Sequence, residues 1–305
     1  MEHIYDMLII GGGPGGYSAA LYAARAGMDV LVLEKLSAGG QMALTQDIDN
    51  YPGFPQGIDG FTLGENMQMG AERFGAKTEI AEVLSLDLLA DPKRVDTSEG
   101  TFYSHVVVYA TGAGPRELGI EKEQALTGRG VHYCAACDGM RYRGKTVVVV
   151  GGGNTAAEDA LALSKLAEKV YLVHRRDSLR AERVYANALE KAENVEFIWN
   201  AQVMELLSDG KLHGIRLRDV NSGEERELAC EGVFISVGRK PATELVQGQL
   251  ELDPGGYILA DESTWTNIPG VFAVGDVRTK ALRQVVTAVS DGAVAVHYAR
   301  EYLAM

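Results

Sequence analysis

An α/β fold built on two parallel sheets follows from three observations. Two segments of the chain are alike: Met7-Leu-Ile-Ile-Gly-Gly-Gly-Pro-Gly-Gly-Tyr-Ser-Ala-Ala opens it, and Thr146-Val-Val-Val-Val-Gly-Gly-Gly-Asn-Thr-Ala-Ala-Glu recurs near its middle. Each runs from an aliphatic strand through a glycine turn into an alanine-rich helical stretch. Each then reaches a second apolar strand, Val30 to Glu34 or Val170 to His174. Strand, helix, strand in that order is the crossover unit of a parallel sheet, and its double occurrence predicts two nucleotide-binding units.

The remaining elements follow in order. Tyr103 to Ala110 reads as a buried strand ending at Thr111 and Gly112, and Gly232 to Gly238 has the same form before Arg239, Lys240 and Pro241. Gly270 to Asp276 reads as a strand beyond the second unit, and Arg283 to Leu303 as a long helix rich in Ala and Val. With Gly275 and Asp276 assigned to the first unit, the second domain is inserted within the first. The expected crossings lie near residues 113–116 and 240–244, which gives one discontinuous domain, 1–113 with 244–305, and an inserted domain, 114–243.

Composition narrows the class. The 305 residues suffice for two domains of ordinary size. Hydrophobic residues at 46% and charged residues at 23% describe a globular enzyme and not a disordered chain. A formal charge of −13 provides no basic surface to displace phosphate counterions, so a nucleic-acid partner is not expected. Neither is a membrane, because no run approaches the ~20 apolar residues of a span. Met1 to Met7 lacks a basic region, so no signal peptide is read. Only three cysteines are present, which argues against a disulfide framework and makes the cytoplasm the expected location.

Gly11-x-Gly13-x-x-Gly16 follows the first strand and, through Pro14, starts a helix. The first glycine permits the tight turn, the second lets a pyrophosphate approach the backbone, and the third lets helix and strand pack closely. The helix start offers unpaired N–H groups to the phosphates. Glu34, followed by Lys35, ends the next strand about 20 residues on, where a carboxylate accepts hydrogen bonds from a ribose. A glycine turn without a ligand is the competing reading, and the strand, helix and carboxylate together outweigh it.

Gly151-x-Gly153-x-x-Ala156, with Asn154 and Thr155 inside it, repeats the arrangement. Here the second strand ends at His174-Arg175-Arg176 and not at an acid. Guanidinium groups at that position remove repulsion against a 2′-phosphate and supply paired donors to it, which favours NADP(H) over NAD(H). The alternative is a solvated charge run.

Cys134-Ala-Ala-Cys137-Asp138 has the spacing of a small redox disulfide. A zinc site would need two further ligands, and His132 stands alone beside the pair, so no metal is expected. Asp138 is placed to move protons between thiolate and thiol; the competing reading is a turn-forming Asp-Gly. Cys230 reads as a small core residue. His3, His105, His213 and His297 show no ligand spacing.

Taken together, these residues resemble the low-molecular-weight thioredoxin reductases along nearly the whole chain. The resemblance is carried by Gly11 to Gly15, Gly39 to Gln41, Asn50 to Phe54, Ala110 to Gly112, Cys134 to Gly139, Gly151 to Glu158, His174 to Ala181, Gly275-Asp276 and Arg283-Gln284. It implies two Rossmann-like dinucleotide-binding domains, the NADPH domain inserted into the FAD domain. FAD would take Glu34 on its adenosine ribose, with Gly40, Gln41, Asn50, Thr111, Gly112, Gly275, Asp276, Arg283 and Gln284 along the rest. NADPH would place its 2′-phosphate near Arg175, Arg176 and Arg180. Hydride would pass from nicotinamide to flavin, and electrons then to the Cys134–Cys137 disulfide and on to thioredoxin or a thioredoxin-like protein. The resemblance also implies Asp138 as the acid–base residue and a homodimer whose NADPH domain rotates.

The chain departs from the family's pattern at Met140-Arg141, where aromatic residues are common, and at Ala281-Leu282, where a tyrosine is frequent. Those positions bear on the partner's identity more than on the electron path. Three other readings stay open: a ferredoxin-linked thioredoxin reductase, a flavoprotein reductase serving a peroxidase, and a non-catalytic nucleotide or redox sensor.

Overall fold

The computed structural model describes residues 3–45 and 48–304, so Met1 and Glu2 of the leader reading lie outside the described residues. The chain divides into two compact units, Met1–Gly114 with Lys240–Met305, and Pro115–Arg239. Both are α/β with parallel sheets, the predicted fold class.

The first unit begins with β1 (Ile4–Ile10), α1 (Pro14–Arg25), β2 (Val30–Glu34), α2 (Gly60–Glu72) and β3 (Lys77–Ile80), followed by β4 (Val83–Asp87), β5 (Lys93–Thr97) and β6 (Gly100–Tyr109). β1 lies between β2 and β6, parallel to both, with Ile9 opposite Val32 and Val108. Met7, Leu8 and Ile9 are fully buried, which is why this strand reads as an unbroken apolar run and not as an alternation. β4, β5 and β6 form an antiparallel meander that the sequence reading left out. The charged β5 (Lys93, Arg94, Asp96) lacks the apolar signal by which strands are recognised.

The second unit contains β7 (Val131–His132), α3 (Ala135–Asp138), β8 (Thr146–Val150), α4 (Asn154–Ser164), β9 (Lys169–Val173), α5 (Arg183–Leu189) and β10 (Val195–Ile198), then β11 (Ala201–Ser208), β12 (Leu212–Asp219), β13 (Glu225–Ala229) and β14 (Gly232–Ile235). Its parallel sheet runs β10-β9-β8-β14-β7, with β8 at the centre. Alternate side chains of β8 face opposite cores. Val147 and Val149 pack with Ala156, Ala157 and Ala160 of α4, while Val148 and Val150 pack with Leu206, Ile215 and Leu217 of the antiparallel β11–β12–β13 layer. That layer was also absent from the sequence reading.

The chain then returns to the first unit through β15 (Val271–Ala273), which extends the parallel sheet beside β6, and α6 (Val285–Leu303). The last helix starts two positions later than Arg283 because Gln284 is its cap, its side chain and that of Thr287 exchanging hydrogen bonds with each other's backbone. α6 crosses α1 so closely that a Cβ on Gly292 would lie 2.3 Å from the Gly15 carbonyl oxygen, so no larger residue fits there.

A buried ion cluster fastens α6 to the loop after β15. Asp291, 5% exposed, accepts from Arg278 Nε at 2.9 Å and Nη2 at 2.7 Å, from Lys280 Nζ at 2.8 Å and from the Gly275 N–H at 2.8 Å. Arg278 is only 1% exposed, so removing the carboxylate strands two cations in the interior. Asp291→Ala is expected to cost about 3–5 kcal/mol. A thermal melt checks this, and an unchanged midpoint would show that the cluster is replaceable.

Candidate nucleotide sites and redox centre

In the first unit, Gly11 adopts φ +103°, and a Cβ there would lie 2.6 Å from the Ala110 carbonyl oxygen. On Gly16 a Cβ would lie 2.0 Å from the Gly11 oxygen, so the third glycine is the condition for strand and helix to meet. Gly13 differs: a Cβ there meets nothing within 4 Å, and the backbone faces open space. Tyr17 is the first residue of α1 whose N–H bonds within the turn, to Gly13 O at 2.9 Å, so the N–H groups of Gly15 and Gly16 precede the helical ladder. Pro14, which has no N–H, occupies the first helical position at no cost.

The Glu34 carboxylate is fixed over this turn. Oε2 accepts from the Gly12 N–H at 2.6 Å and Oε1 from the Leu36 N–H at 3.1 Å. Gly40 lies across the same opening, since its Cβ would come 3.5 Å from Gly13 Cα, and exposed Gln41 follows it. Lys35 is turned aside, its Nζ 2.6 Å from Glu82 Oε1.

Other predicted residues of this unit meet in pairs. Asn50 Nδ2 donates to Gln284 Oε1 at 3.0 Å, although 234 positions separate them. Arg283 reaches back to the Asp276 carbonyl at 3.4 Å and lies over the Tyr257 ring at 4.0 Å. Thr111 Oγ1 donates to the Ala242 carbonyl at 2.8 Å, and the Ala242 N–H donates to Gly112 O at 3.0 Å. Asp276 follows Gly275, whose N–H is held by Asp291. Free helix-start donors, an uncovered glycine and an oriented carboxylate fit the phosphates and ribose of a dinucleotide.

The second unit repeats this geometry with a different strand end. A Cβ on Gly151 would lie 2.4 Å from the Ser236 carbonyl, whereas on Gly153 it would meet nothing within 4 Å. Ala157 donates the first bond of α4, to Gly153 O at 3.1 Å, which leaves the N–H groups of Asn154, Thr155 and Ala156 ahead of the ladder. Asn154 and Glu182 exchange two hydrogen bonds of 2.9 Å, and the Arg180 N–H donates to Gly152 O at 2.7 Å. These bonds bring the segment carrying Arg180 onto the turn.

His174 is buried with its ring against Gly152, where a Cβ would be 2.2 Å away. Burial, followed by the guanidinium groups of Arg180, Arg176 and Arg175, lowers its pKa and keeps the imidazole neutral. The three arginines are exposed, and none forms an ion pair among the described residues. Exposed guanidinium groups next to a phosphate-type turn have the charge and donor geometry to receive a phosphate anion.

Cys134 and Cys137 form a disulfide with Cα atoms 5.3 Å apart. Cys134 is the cap of α3, and its carbonyl accepts from both Cys137 and Asp138 N–H groups, at 3.3 and 3.1 Å. Asp138 Oδ2 lies 3.2 Å from His132 Nδ1, and His132 Nε2 lies 2.7 Å from the Tyr142 hydroxyl. Asp138 Oδ1 is 3.7 Å from Arg141 Nη1. Met140, beside the pair, is 51% exposed. Among the described residues no group of His, Cys, Asp and Glu has the arrangement of a metal site.

A family model for pyridine nucleotide-disulphide oxidoreductases matches residues 5–292. The chain belongs to that family. A thioredoxin reductase of Streptomyces clavuligerus is 47% identical, over 100% of this chain and 95% of that protein. The crystal structure of thioredoxin reductase from Streptococcus pyogenes MGAS5005 superposes with a TM-score of 0.92 at 41% identity, covering 100% of this chain and 99% of that one. Thioredoxin reductase from Giardia duodenalis gives 0.91 at 36% identity, with both chains covered completely. Within the family, this chain is similar over its whole length to thioredoxin reductases.

Sequence reasoning missed three features. It dismissed His132 as a metal ligand and did not pair it with Asp138. It passed over Asp159 of α4, whose Oδ2 accepts from Ser236 Oγ at 2.5 Å and whose carboxylate also bonds the Ala135 backbone beside Cys134; burial raises its pKa. It also took no account of Asp291. An isolated His two residues before a Cys pair was the one available signal, and the distances now attach it to Asp138.

Cys230, between β13 and β14, is buried, and burial pushes its thiol pKa up to about 12. The thiolate is the reactive form. After reduction at pH 8, a thiol reagent is expected to label Cys134 and Cys137 in the native protein and Cys230 only in guanidinium. Mass spectrometry of the labelled peptides checks this, and native labelling of Cys230 would contradict its burial.

Proposed function

We propose that the protein is an NADPH-dependent thioredoxin-disulfide reductase. The observation that carries this reading is a disulfide, Cys134–Cys137, on the same unit as a dinucleotide turn flanked by three exposed arginines that form no ion pair among the described residues. When bound, FAD and NADPH supply hydride chemistry, which converts two-electron donation by a nicotinamide into reduction of a disulfide. The first unit would hold FAD through Gly11, Gly13, Gly16 and Glu34, with Gly40, Gln41, Asn50, Asp276, Arg283 and Gln284 alongside. The second would hold NADPH through Gly151, Gly153 and Ala156, with Arg175, Arg176 and Arg180 on the 2′-phosphate.

The protein's own groups then have defined tasks. Cys134 and Cys137 store two electrons as a dithiol and pass them to a partner disulfide by thiolate attack and exchange. Asp138, next in the chain to Cys137, takes up and returns the proton that the exchange requires. A thioredoxin or thioredoxin-like protein is the partner, met beside exposed Met140; the working form is a homodimer in the cytoplasm. Arg175 and Arg176 speak for NADPH, and not reduced ferredoxin, as electron source.

Anaerobic titration of the yellow protein with NADPH, followed by a panel of oxidised thioredoxins, tests the reading. Bleaching of the flavin and its return on adding a thioredoxin is the expected result. A flavin that bleaches but is reoxidised by no thioredoxin would overturn the assignment.

A further inference from the structure

The bonds around Asp138 give His132 a task. His132 is 2% exposed, and its position is set by the sheet: β7 pairs with β14 so that His132 lies opposite Phe234. Its ring stacks on the Phe234 ring at 5.2 Å and meets the Tyr142 ring edge-on at 5.2 Å. Tyr142 is seated in turn against Gly232, where a Cβ would lie 2.4 Å from the ring. Neither aromatic neighbour leaves the imidazole room to turn.

Polarity along this line follows from the acceptors. Burial raises the Tyr142 pKa to about 12, so its hydroxyl keeps its proton and can donate to His132 Nε2. An Nε2 that accepts from Tyr142 leaves the ring hydrogen on Nδ1, and Nδ1 faces Asp138 Oδ2 at 3.2 Å. One carboxylate oxygen is therefore in contact with the imidazole on the buried side. The other, Oδ1, has the Arg141 guanidinium at 3.7 Å as its one charged neighbour among the described residues.

We infer that His132 is a positioning residue of the dithiol reaction: held by Tyr142, it fixes Oδ2 of Asp138 and thereby presents Oδ1 for proton exchange at the Cys134–Cys137 pair. The inference rests on the disulfide-reductase reading above. In the exchange, one enzyme thiolate attacks the partner disulfide, forming a mixed disulfide and expelling the partner's other sulfur as a thiolate. The second enzyme thiol loses its proton to Oδ1 and attacks the enzyme sulfur of the mixed disulfide. The Cys134–Cys137 bond re-forms, the partner's second sulfur leaves, and the proton on Oδ1 passes to the partner. Two electrons and one carried proton are accounted for, and Oδ2 keeps its contact with the imidazole throughout.

Steady-state kinetics of the FAD-loaded enzyme with NADPH and an oxidised thioredoxin test this, beside NADPH-driven ferricyanide reduction, which draws electrons from the flavin without the disulfide. His132→Phe keeps the stacked ring and loses the hydrogen bond with Tyr142 and the Nδ1 contact with Asp138. Its kcat with thioredoxin is expected to fall ~10²-fold, the range of a disabled general acid–base, with KM for thioredoxin and the ferricyanide rate within about twofold. His132→Asn, whose amide N–H can still donate to Oδ2, is expected to recover at least about tenfold of that loss. Tyr142→Phe is expected to give an intermediate kcat. Unchanged kcat in His132→Phe, equal loss of both activities, or no recovery in His132→Asn would each overturn the inference. Asp138→Asn separates the two readings. If it loses thioredoxin turnover while His132→Phe does not, only the role of His132 falls; if Cys137→Ser still reduces thioredoxin, the disulfide reading falls with it.

Discussion

Cys137→Ser is expected to yield a yellow protein that takes hydride from NADPH and reduces no thioredoxin. The reason is electron storage. The wild-type chain has two reservoirs, so an anaerobic titration should consume one equivalent of NADPH for the flavin and one for the disulfide. The variant should stop after the first. Cys137 is on α3 of the second unit, away from the Gly11 turn in the chain, and its substitution removes only a sulfur at the end of a short helix. Flavin content and melting temperature should therefore stay close to wild type while thioredoxin turnover drops to background. Residual turnover would refute the route through the pair, because a lone thiol cannot release a mixed disulfide without a second one.

The next largest expected effect is on nucleotide choice. Arg175 and Arg176 follow β9, exposed and without an ion-pair partner among the described residues. A charge-assisted hydrogen bond is worth about 1.5–3 kcal/mol when protected from water. Exposure reduces that, and about 1–2 kcal/mol for each arginine is a reasonable expectation. With tenfold for every ~1.4 kcal/mol, replacing both by Ala should raise KM for NADPH by about 30–10³-fold. KM for NADH should move by less than about threefold, since a nucleotide without a 2′-phosphate does not use them. Equal changes for the two nucleotides would refute the phosphate assignment. Raising the salt concentration should weaken NADPH binding to the wild type and leave the double variant nearly insensitive.

Both glycine turns were legible in the sequence because the glycine spacing after an apolar strand is itself the signal, although the atoms that demand it are partly remote. Gly16 is required by the Gly11 oxygen, whereas Gly11 meets Ala110 and Gly151 meets Ser236 at the end of a neighbouring strand. The strands β1 and β8 were equally plain, being buried on both faces and hence apolar throughout. Less was visible where partners are chosen by the fold. Asp291 sits between Ser290 and Gly292, a context that reads as a surface turn, and only the return of the chain brings Arg278 and Lys280 to it. Asn50 and Gln284 were both named, but nothing local shows that they bond one another. His132 was noticed for the wrong chemistry: metal spacing was the criterion applied, whereas its contacts come from Asp138 and from Tyr142 at the end of the next turn. Strand β5, paired on both sides with β4 and β6, escaped because its alternation of buried and exposed positions is carried by a short, mostly charged stretch that reads as a loop.

The packing of α6 on α1 through Gly292 and Gly15, together with the interruption of the first unit by residues 115–239, sets an order of assembly during synthesis. The inserted unit has all of its strands when residue 239 leaves the ribosome, and it can close at once. The first unit cannot, because Ala295, Val296 and Ala299, which seal its core against Met7 and Ile9, are translated last. A nascent chain arrested between these points should therefore protect the inserted segment from protease while the segment made first is still cut.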